Sequence, residues 1–229
     1  MFLNTAERVS ESSVIDNWLL KKSMLAYKYA SEIIKGKVLE IGCGNAYYVE
    51  KMAGLVDEYV LLDKFKTKAV ESVLKIKNVK FIQTVVPPLS QLPDNSFDYV
   101  LCFQVIEHIQ KDLNLIEEIY RVLKPGGIFL VSTPNKKMSL SRNPWHVREY
   151  FVSELRDLIA KCPFSEIKCM GVFGNDKAMG YYEKNKISVK KFRRFDILGL
   201  EKRLPASLFR WAYDVLNVMN RKRLAKQNS

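Results

Sequence analysis

Two glycines and two acidic residues stand where apolar segments of the chain end, a pattern that suits a nucleoside. Glu40 comes just before Gly42-Cys43-Gly44, and Asp63 follows Gly42 by 21 residues, after a second apolar run. Glycine has no Cβ, so it permits a tight turn that a ligand can approach closely. A carboxylate can accept hydrogen bonds from both hydroxyls of a ribose. Taken singly, these residues fit turn glycines and a helix cap, but together they predict a nucleoside site.

A dinucleotide such as NAD fits this turn less well than a smaller nucleoside cofactor does. Dinucleotide-binding turns carry a small residue where this chain has Tyr47, because the following helix must pack closely against the strand. Glu40 would also repel a pyrophosphate, whereas it suits a ligand that carries an ammonium or a sulfonium group. The pattern therefore favours a positively charged nucleoside cofactor.

The two histidines of the chain lie in segments that could supply acid–base chemistry. His108 ends the sequence QVIEH, and His146 lies within NPWHVREY. Either imidazole could remove a proton from a substrate hydroxyl. The alternative for each is a structural histidine that is hydrogen-bonded within its own loop.

Five apolar runs alternate with helical patterns along the first 135 residues. The runs cover 38–41, 59–62, 79–82, 97–103 and 128–131, and the helical patterns cover 47–55, 66–75 and 113–123. Strands that are apolar throughout are expected when helices cover both faces of a parallel sheet. The chain is therefore predicted to be α/β, a doubly wound, mostly parallel sheet flanked by helices. Ligands bind such sheets at the carboxyl ends of the strands, where the glycine turn, Asp63 and Gln104 fall.

Composition and cysteine usage are those of an ordinary globular chain. Hydrophobic residues make up 48% and charged residues 27% of 229 residues, enough for one domain with a full core. No apolar run reaches the roughly 20 residues that span a bilayer, and we expect neither a signal peptide nor a transmembrane segment. The four cysteines form no CxxC pair, which is typical of reduced thiols in a cytoplasmic protein.

Positive charge is concentrated at the C-terminal end. The net charge is +12, and residues 184–229 contain 13 basic and 3 acidic residues. We therefore expect a main domain over 1–175 and a basic helical extension over 176–229. The main domain is expected to include N-terminal helices in 1–35 and a sixth strand near 164–172. Three interpretations of the extension stay open: an RNA-binding segment with interleaved aromatic residues, a helix on an anionic membrane surface, and a packed helix with a solvated basic end. The extension could also form a lid or an acceptor-binding wall.

Four motifs in order resemble the class I S-adenosylmethionine (SAM)-dependent methyltransferase superfamily, in particular its type 11-like domains. They are VLEIGCGNA, LLD, LPDNSFDYVLCFQVIEHI and RVLKPGGIFLVSTPN, between residues 38 and 135. The resemblance implies a Rossmann-like fold, SAM as cofactor and S-adenosylhomocysteine as product. It also implies a cofactor site in which the glycine-rich turn lies under the methionine portion, Asp63 holds the ribose, and neighbouring residues flank the adenine and the methionine end. The residues so implied are Glu40, Gly42, Cys43, Gly44, Asp63, Lys64, Thr84, Val85 and Gln104.

The resemblance also frames the region beyond the fourth and fifth strands. Glu-x-x-Glu-His with a later histidine resembles the metal-binding pattern of small-RNA 2′-O-methyltransferases, and its first part resembles that of quinone-biosynthesis O-methyltransferases. Gln104 replaces the first acid, and an amide is a weak ligand for a divalent cation, so no metal site is predicted. We expect catalytic roles for His108 and His146 and acceptor contacts for Glu107, Trp145, Arg148 and Tyr150.

The leading hypothesis is a SAM-dependent methyltransferase that methylates an oxygen of a small-molecule, saccharide or lipid-linked acceptor. The segment after the fourth strand is FQVI, where amino-methylating enzymes of DNA carry Asn/Asp-Pro-Pro-Tyr/Phe, so methylation of a DNA base is disfavoured. An RNA methyltransferase is the second hypothesis, and a binding protein that keeps the fold without catalysis is the third. We expect a cytoplasmic protein, with peripheral membrane association as one outcome of its basic extension.

Overall fold

The computed structural model describes residues 17–193 together with 205, 210 and 213–215. Within these residues the chain forms five strands and six α-helices. The strands are β1 (Lys37–Ile41), β2 (Glu58–Asp63), β3 (Val79–Gln83), β4 (Phe97–Phe103) and β5 (Leu123–Ser132). The helices are α1 (Asn17–Ser31), α2 (Val49–Ala53), α3 (Lys68–Val73), α4 (Asp112–Val122), α5 (Val152–Ile159) and α6 (Asp176–Arg193).

The strands form one parallel sheet in the order β3-β2-β1-β4-β5. Leu39 of β1 lies beside Val60 of β2 on one side and Val100 of β4 on the other. The strand order reverses beside β1, because β2 and β3 add to one edge and β4 and β5 to the other. Such a reversal opens a crevice at the carboxyl ends of the strands. The predicted doubly wound sheet is confirmed.

Two apolar cores cover the two faces of the sheet. Leu39 and Ile41 point into the core that also contains residues of α4 and α5, whereas Val38 and Tyr59 point into the core with residues of α1, α2 and α3. Alternate residues of each strand enter opposite cores, which is why the strands are apolar throughout. The buried face of α4 consists of Leu115, Ile116, Ile119 and Val122.

Two details of the predicted secondary structure differ from the structure. The helix predicted over 113–123 ends at Val122, and the apolar run predicted over 128–131 is only part of β5, which begins at Leu123, where Leu123 pairs with Phe97. The sixth strand expected near 164–172 is wrong, because this segment forms no strand in the structure. Met170 and Val172 are 69% and 54% exposed, so apolar composition alone misled the prediction.

The chain divides into two compact units. One consists of residues 23–136 and 148–169 and contains the whole sheet, and the other consists of 1–22, 137–147 and 170–229. The expected helices before residue 17 lie outside the described residues, as does most of the expected basic extension beyond residue 193. Across the part of the chain that the structure describes, no helix has both the length and the apolar character needed to cross a membrane.

Candidate active site

The glycine turn after β1 is fastened to the end of β2. The N–H groups of Gly42 and Cys43 both donate to the carbonyl oxygen of Leu62, at 2.6 and 3.3 Å. Gly42 and Gly44 have φ angles of +75° and +55°, a left-handed conformation that glycine adopts at little cost. A Cβ on Gly42 would collide with the side chain of Val105, whereas a Cβ on Gly44 would meet nothing within 4 Å. The turn is therefore closed on its Val105 side and open above Gly44.

Asp63 joins this turn to the segment after β2. Its Oδ2 accepts a hydrogen bond from the N–H of Gly44, and its Oδ1 accepts one from the N–H of Phe65, each at 2.9 Å. The two bonds fix the orientation of the half-buried carboxylate. Each oxygen still has a second lone pair, so both can accept a ribose hydroxyl without losing these bonds. The geometry fits the ribose site that the sequence predicts.

Glu40 lies beneath the turn and is 2% exposed. The hydroxyl groups of Tyr27 and Tyr59 donate to its two carboxylate oxygens, at 2.5 and 2.6 Å. Burial raises the pKa of Glu40, and the two tyrosine hydrogen bonds oppose that rise. Direct contact of Glu40 with a cofactor stays a prediction, because the structure places its oxygens on tyrosine hydroxyls.

The ends of β2 and β3 present apolar surface next to polar anchors. Phe65 and Val85 are 46% and 70% exposed, and an exposed apolar side chain can cover a purine face. Gln83 donates from Nε2 to the carbonyl oxygen of Lys64 at 3.1 Å, and Gln91 donates to the hydroxyl of Thr84 at 3.1 Å. The sequence analysis missed both glutamines, because an uncharged amide outside a motif carries no recognisable signal.

Cys43 within the turn is a neutral thiol. It is 5% exposed, and burial together with the nearby carboxylates of Glu40 and Asp63 raises its pKa well above the ordinary value. Its predicted place in the cofactor site therefore depends on its backbone and not on a reactive sulfur.

The end of β4 is held against the end of β5. Gln104 has a φ of +57°, which is uncommon for a residue with a side chain and marks a locally constrained backbone. Its N–H donates to the carbonyl oxygen of Ser132 at 2.8 Å, and its amide nitrogen lies 3.3 Å from the Ser132 hydroxyl. Ser132 is a third position that the sequence motifs do not indicate. The constraint directs residues 104–108 over the carboxyl edge of the sheet.

Glu107 and His108 follow on a 3-10 turn formed by Ile106–His108. Glu107 is 1% exposed, and its Oε2 accepts a hydrogen bond from the Thr133 hydroxyl at 2.9 Å. His108 is half-buried, and its N–H donates to the carbonyl oxygen of Val105 at 2.9 Å. A buried carboxylate thus precedes an accessible imidazole at the end of β4.

Arg148 and Tyr150 are positioned by the start of α4. The Tyr150 hydroxyl donates to Oδ2 of Asp112 at 2.9 Å, and Arg148 forms an ion pair with the same oxygen at 3.2 Å. The backbone N–H of Arg148 also donates to the carbonyl oxygen of Glu107 at 3.2 Å. Tyr150 is 1% exposed, and burial and its bond to Asp112 raise its pKa. Tyr150 therefore anchors the segment, whereas the exposed Arg148 guanidinium can meet a ligand.

Trp145 and His146 belong to the other unit and are held within it. Nε2 of His146 lies 2.9 Å from the amide nitrogen of Asn143, whose oxygen accepts the Trp145 backbone N–H at 3.0 Å. The Trp145 indole N–H donates to Asp214 at 3.0 Å, and the Arg210 guanidinium lies 4.5 Å from the indole ring centre. His146 has the loop-internal contact that its structural interpretation requires, and its catalytic role stays a prediction.

Comparison with known proteins agrees with the class of protein that the sequence motifs predict. The family model described as "Methyltransferase domain" matches residues 39–131. A protein of Mycolicibacterium smegmatis, named as a probable S-adenosylmethionine-dependent methyltransferase, is 33% identical over 175 residues, which are 74% of this chain and 68% of that protein. A ubiquinone biosynthesis O-methyltransferase of Rickettsia typhi is 27% identical over 123 residues, or 52% of this chain and 48% of that enzyme.

Among solved structures, a SAM-dependent methyltransferase from Mesorhizobium loti matches with a TM-score of 0.56 at 13% identity, over 71% of this chain and 90% of that one. At such identity the likeness concerns the fold alone. The sheet order, the glycine turn and the acid at the end of β2 are typical of α/β proteins that bind a nucleoside cofactor at the carboxyl edge of the sheet. With the sequence relatives, the chain belongs to the SAM-dependent methyltransferases. The predictions of a methyltransferase enzyme and of SAM as its cofactor are confirmed.

Proposed function

We propose that this chain transfers the methyl group of SAM to an oxygen atom of a small-molecule, saccharide or lipid-linked acceptor. The observation that carries the proposal is the doubly anchored Asp63 carboxylate beside the open face of Gly44. The carboxylate is a preorganised hydrogen-bond acceptor for a ribose, and it lies where a ligand can approach the backbone of Gly44 closely. Preorganisation favours binding because little further ordering is required.

The cofactor supplies an activated methyl group on a sulfonium when it is bound. The residues of the chain then have three tasks: to bind the nucleoside, to keep water out and to move the acceptor proton. Asp63 would accept hydrogen bonds from the ribose hydroxyls, and Phe65 and Val85 would cover the adenine. The backbone of Gly42-Cys43-Gly44 would face the methionine portion.

The proton of an acceptor hydroxyl requires a base, and His108 is the candidate in the unit that contains the sheet. An imidazole such as that of His108 is the side chain that most often removes a proton in enzymes. The buried Glu107 carboxylate next to it in sequence would favour the imidazolium that forms on proton transfer. The relatedness to a ubiquinone biosynthesis O-methyltransferase supports an oxygen acceptor.

The test is methyl transfer from isotope-labelled SAM to four acceptor panels: phenolic small molecules, sugar nucleotides, lipid extracts and RNA. We expect transfer to one of the first three. His108→Gln should lower kcat by about 100-fold and leave SAM affinity within twofold. His146→Gln is the matched comparison. A full rate in His108→Gln would refute the role of His108 as base.

RNA is the second candidate acceptor, and it is favoured by α6. Among the side chains described in this helix, Lys184, Lys186, Lys190 and Lys191 are exposed and could neutralise phosphates. If RNA is the acceptor, its binding must weaken steeply between about 50 and 200 mM salt, and reversing the charge of Lys190 and Lys191 must weaken it further. Methyl transfer to RNA in preference to the other panels would overturn the small-molecule proposal.

A further inference from the structure

Glu40 is a buried acid whose oxygens are committed to two tyrosines from different elements. Tyr27 lies on α1, 13 residues before Glu40, and Tyr59 lies on β2. Oxygen–oxygen distances of 2.5 and 2.6 Å are typical of hydroxyl groups that donate to an ionised carboxylate. Among the residues that the structure describes, no lysine or arginine forms an ion pair with Glu40. The charge of Glu40 is therefore stabilised mainly by these two hydroxyl groups.

The ring of Tyr27 contacts two more parts of the sheet edge. It stacks on Tyr48 with ring centres 4.3 Å apart, and Tyr48 immediately precedes α2. It also makes an edge-to-face contact with Phe103, the last residue of β4, at 4.9 Å. Aromatic pairs at these separations are favourable beyond their buried area. One side chain of α1 therefore touches β1, the segment that enters α2, and β4, and these surround the glycine turn.

We propose that Tyr27 is a positioning residue for the cofactor site, which it controls by holding Glu40 beneath the turn Gly42-Cys43-Gly44. Helix α1 thereby becomes part of the cofactor site although it carries none of its motifs. The inference rests on the proposed role of the glycine turn in SAM binding. Glu40 is 2% exposed, so its carboxylate has little solvent contact to replace a tyrosine donor that is lost.

The first test removes the Tyr27 hydroxyl and keeps its ring. Tyr27→Phe should weaken binding of S-adenosylhomocysteine about five- to tenfold, since one hydrogen bond to a buried charge is lost. Tyr29→Phe is the matched control, because Tyr29 lies on the same helix and is 39% exposed. Titration calorimetry at pH 7.5 measures both. Equal affinity in Tyr27→Phe, Tyr29→Phe and the wild type would overturn the proposal.

A double-mutant cycle tests whether Tyr27 acts through Glu40. If it does, Glu40→Gln combined with Tyr27→Phe should bind no more weakly than the weaker single variant, because the second change removes an interaction that the first has already abolished. Losses that multiply would show that the two residues act independently and would overturn the proposal.

The pH profile separates positioning from a general loss of stability. The Tyr27 hydroxyl holds the pKa of Glu40 down, so Glu40 of the Tyr27→Phe variant should take up a proton at a higher pH. As the pH is lowered, the SAM affinity of this variant should therefore begin to fall at a higher pH than that of the wild type. The other titratable groups near Glu40 are Cys43 from the turn, and Tyr59 and Asp63 from β2. A loss of affinity that is the same at every pH between 5 and 9 would contradict the assignment.

Hydrogen exchange of the free protein needs no cofactor and therefore stays informative if the proposed function fails. The amides of Gly42, Cys43 and Gly44 all donate hydrogen bonds, and we expect them to exchange about tenfold faster in Tyr27→Phe but not in Tyr29→Phe. If Tyr27→Phe does not fold, the wild type decides: S-adenosylhomocysteine must slow exchange in residues 23–31 as well as in 42–44. Slowing in 42–44 alone would overturn the coupling. Failure of the wild type to bind either cofactor form would instead refute the proposed function.

Discussion

Asn in place of Asp63 is the most direct test of the cofactor site. Both Asp63 oxygens accept backbone N–H groups, from Gly44 and from Phe65, at 2.9 Å each. An asparagine side chain has one accepting oxygen, so one N–H would face an NH₂ group and lose its acceptor. Asp63→Asn also removes the negative charge that strengthens both bonds.

The expected size of the effect follows from these contacts. One hydrogen bond to a charged group contributes about 1.5–3 kcal/mol, and the lower half of this range applies because the carboxylate is only half-buried. A loss of about 1.5–2 kcal/mol corresponds to an affinity that is roughly 10- to 30-fold weaker. The same loss is expected for SAM and for S-adenosylhomocysteine, since both carry the ribose.

Titration calorimetry with both cofactor forms measures this loss. Asp57→Asn is the matched control, because Asp57 is exposed at the opposite end of β2 and should bind both forms as the wild type does. Circular dichroism of each variant confirms folding. Binding by Asp63→Asn within twofold of the wild type would refute the assignment of Asp63 to the ribose.

Three further predictions concern the stability of the unit that contains the sheet. Gly42→Ala should lower the free energy of unfolding by about 2–4 kcal/mol, because it combines a left-handed φ with a collision against Val105. Adding Val105→Ala should restore part of the lost stability. A loss of under about 1 kcal/mol in urea unfolding of Gly42→Ala would contradict this prediction. Leu115→Ala should cost about 2–5 kcal/mol because Leu115 is fully buried, whereas an alanine at the exposed Leu55 should cost under about 0.5 kcal/mol. Hydrogen bonds from Arg121 lower the pKa of Glu118 below its ordinary value of 4.5, so Glu118 stabilises the fold above that pH and this contribution is lost as pH falls below it. Glu118→Gln should therefore reduce the acid dependence of the unfolding free energy, and an unchanged dependence would exclude this ion pair as its source.

Local sequence patterns predicted most of the sheet. Each of the five strands is a short apolar run, and burial on both faces imposes that composition on a parallel sheet. The runs found in the sequence coincide with β1 to β5 to within a few residues, except that β5 begins five residues earlier than its apolar run. Its first half contains Lys124-Pro125-Gly126-Gly127, whose composition indicates a turn. Pairing of Leu123 with Phe97 overrides that local preference, and such pairing is not encoded in the segment itself.

The segment near 164–172 illustrates the opposite error. It has the apolar composition of a strand, but a strand forms only where a neighbouring strand offers hydrogen bonds, and none pairs with this segment in the described chain. Whether a segment becomes a strand therefore depends on a second segment that pairs with it, and the composition of 164–172 does not show whether such a partner exists.

The sequence by itself determined the type of protein and predicted the position of its cofactor site. Gly42, Gly44 and Asp63 predicted the site because a left-handed φ, close approach of a ligand and hydrogen bonding to a ribose each restrict the residue type at one position. The tertiary structure alone decided what these residues touch: that Asp63 spans two backbone N–H groups, that Tyr150 is an anchor, and that Tyr27 reaches Glu40 from another element. The reason is physical: a residue's type limits its possible bonds, but its partners are set by packing between segments that are distant in sequence.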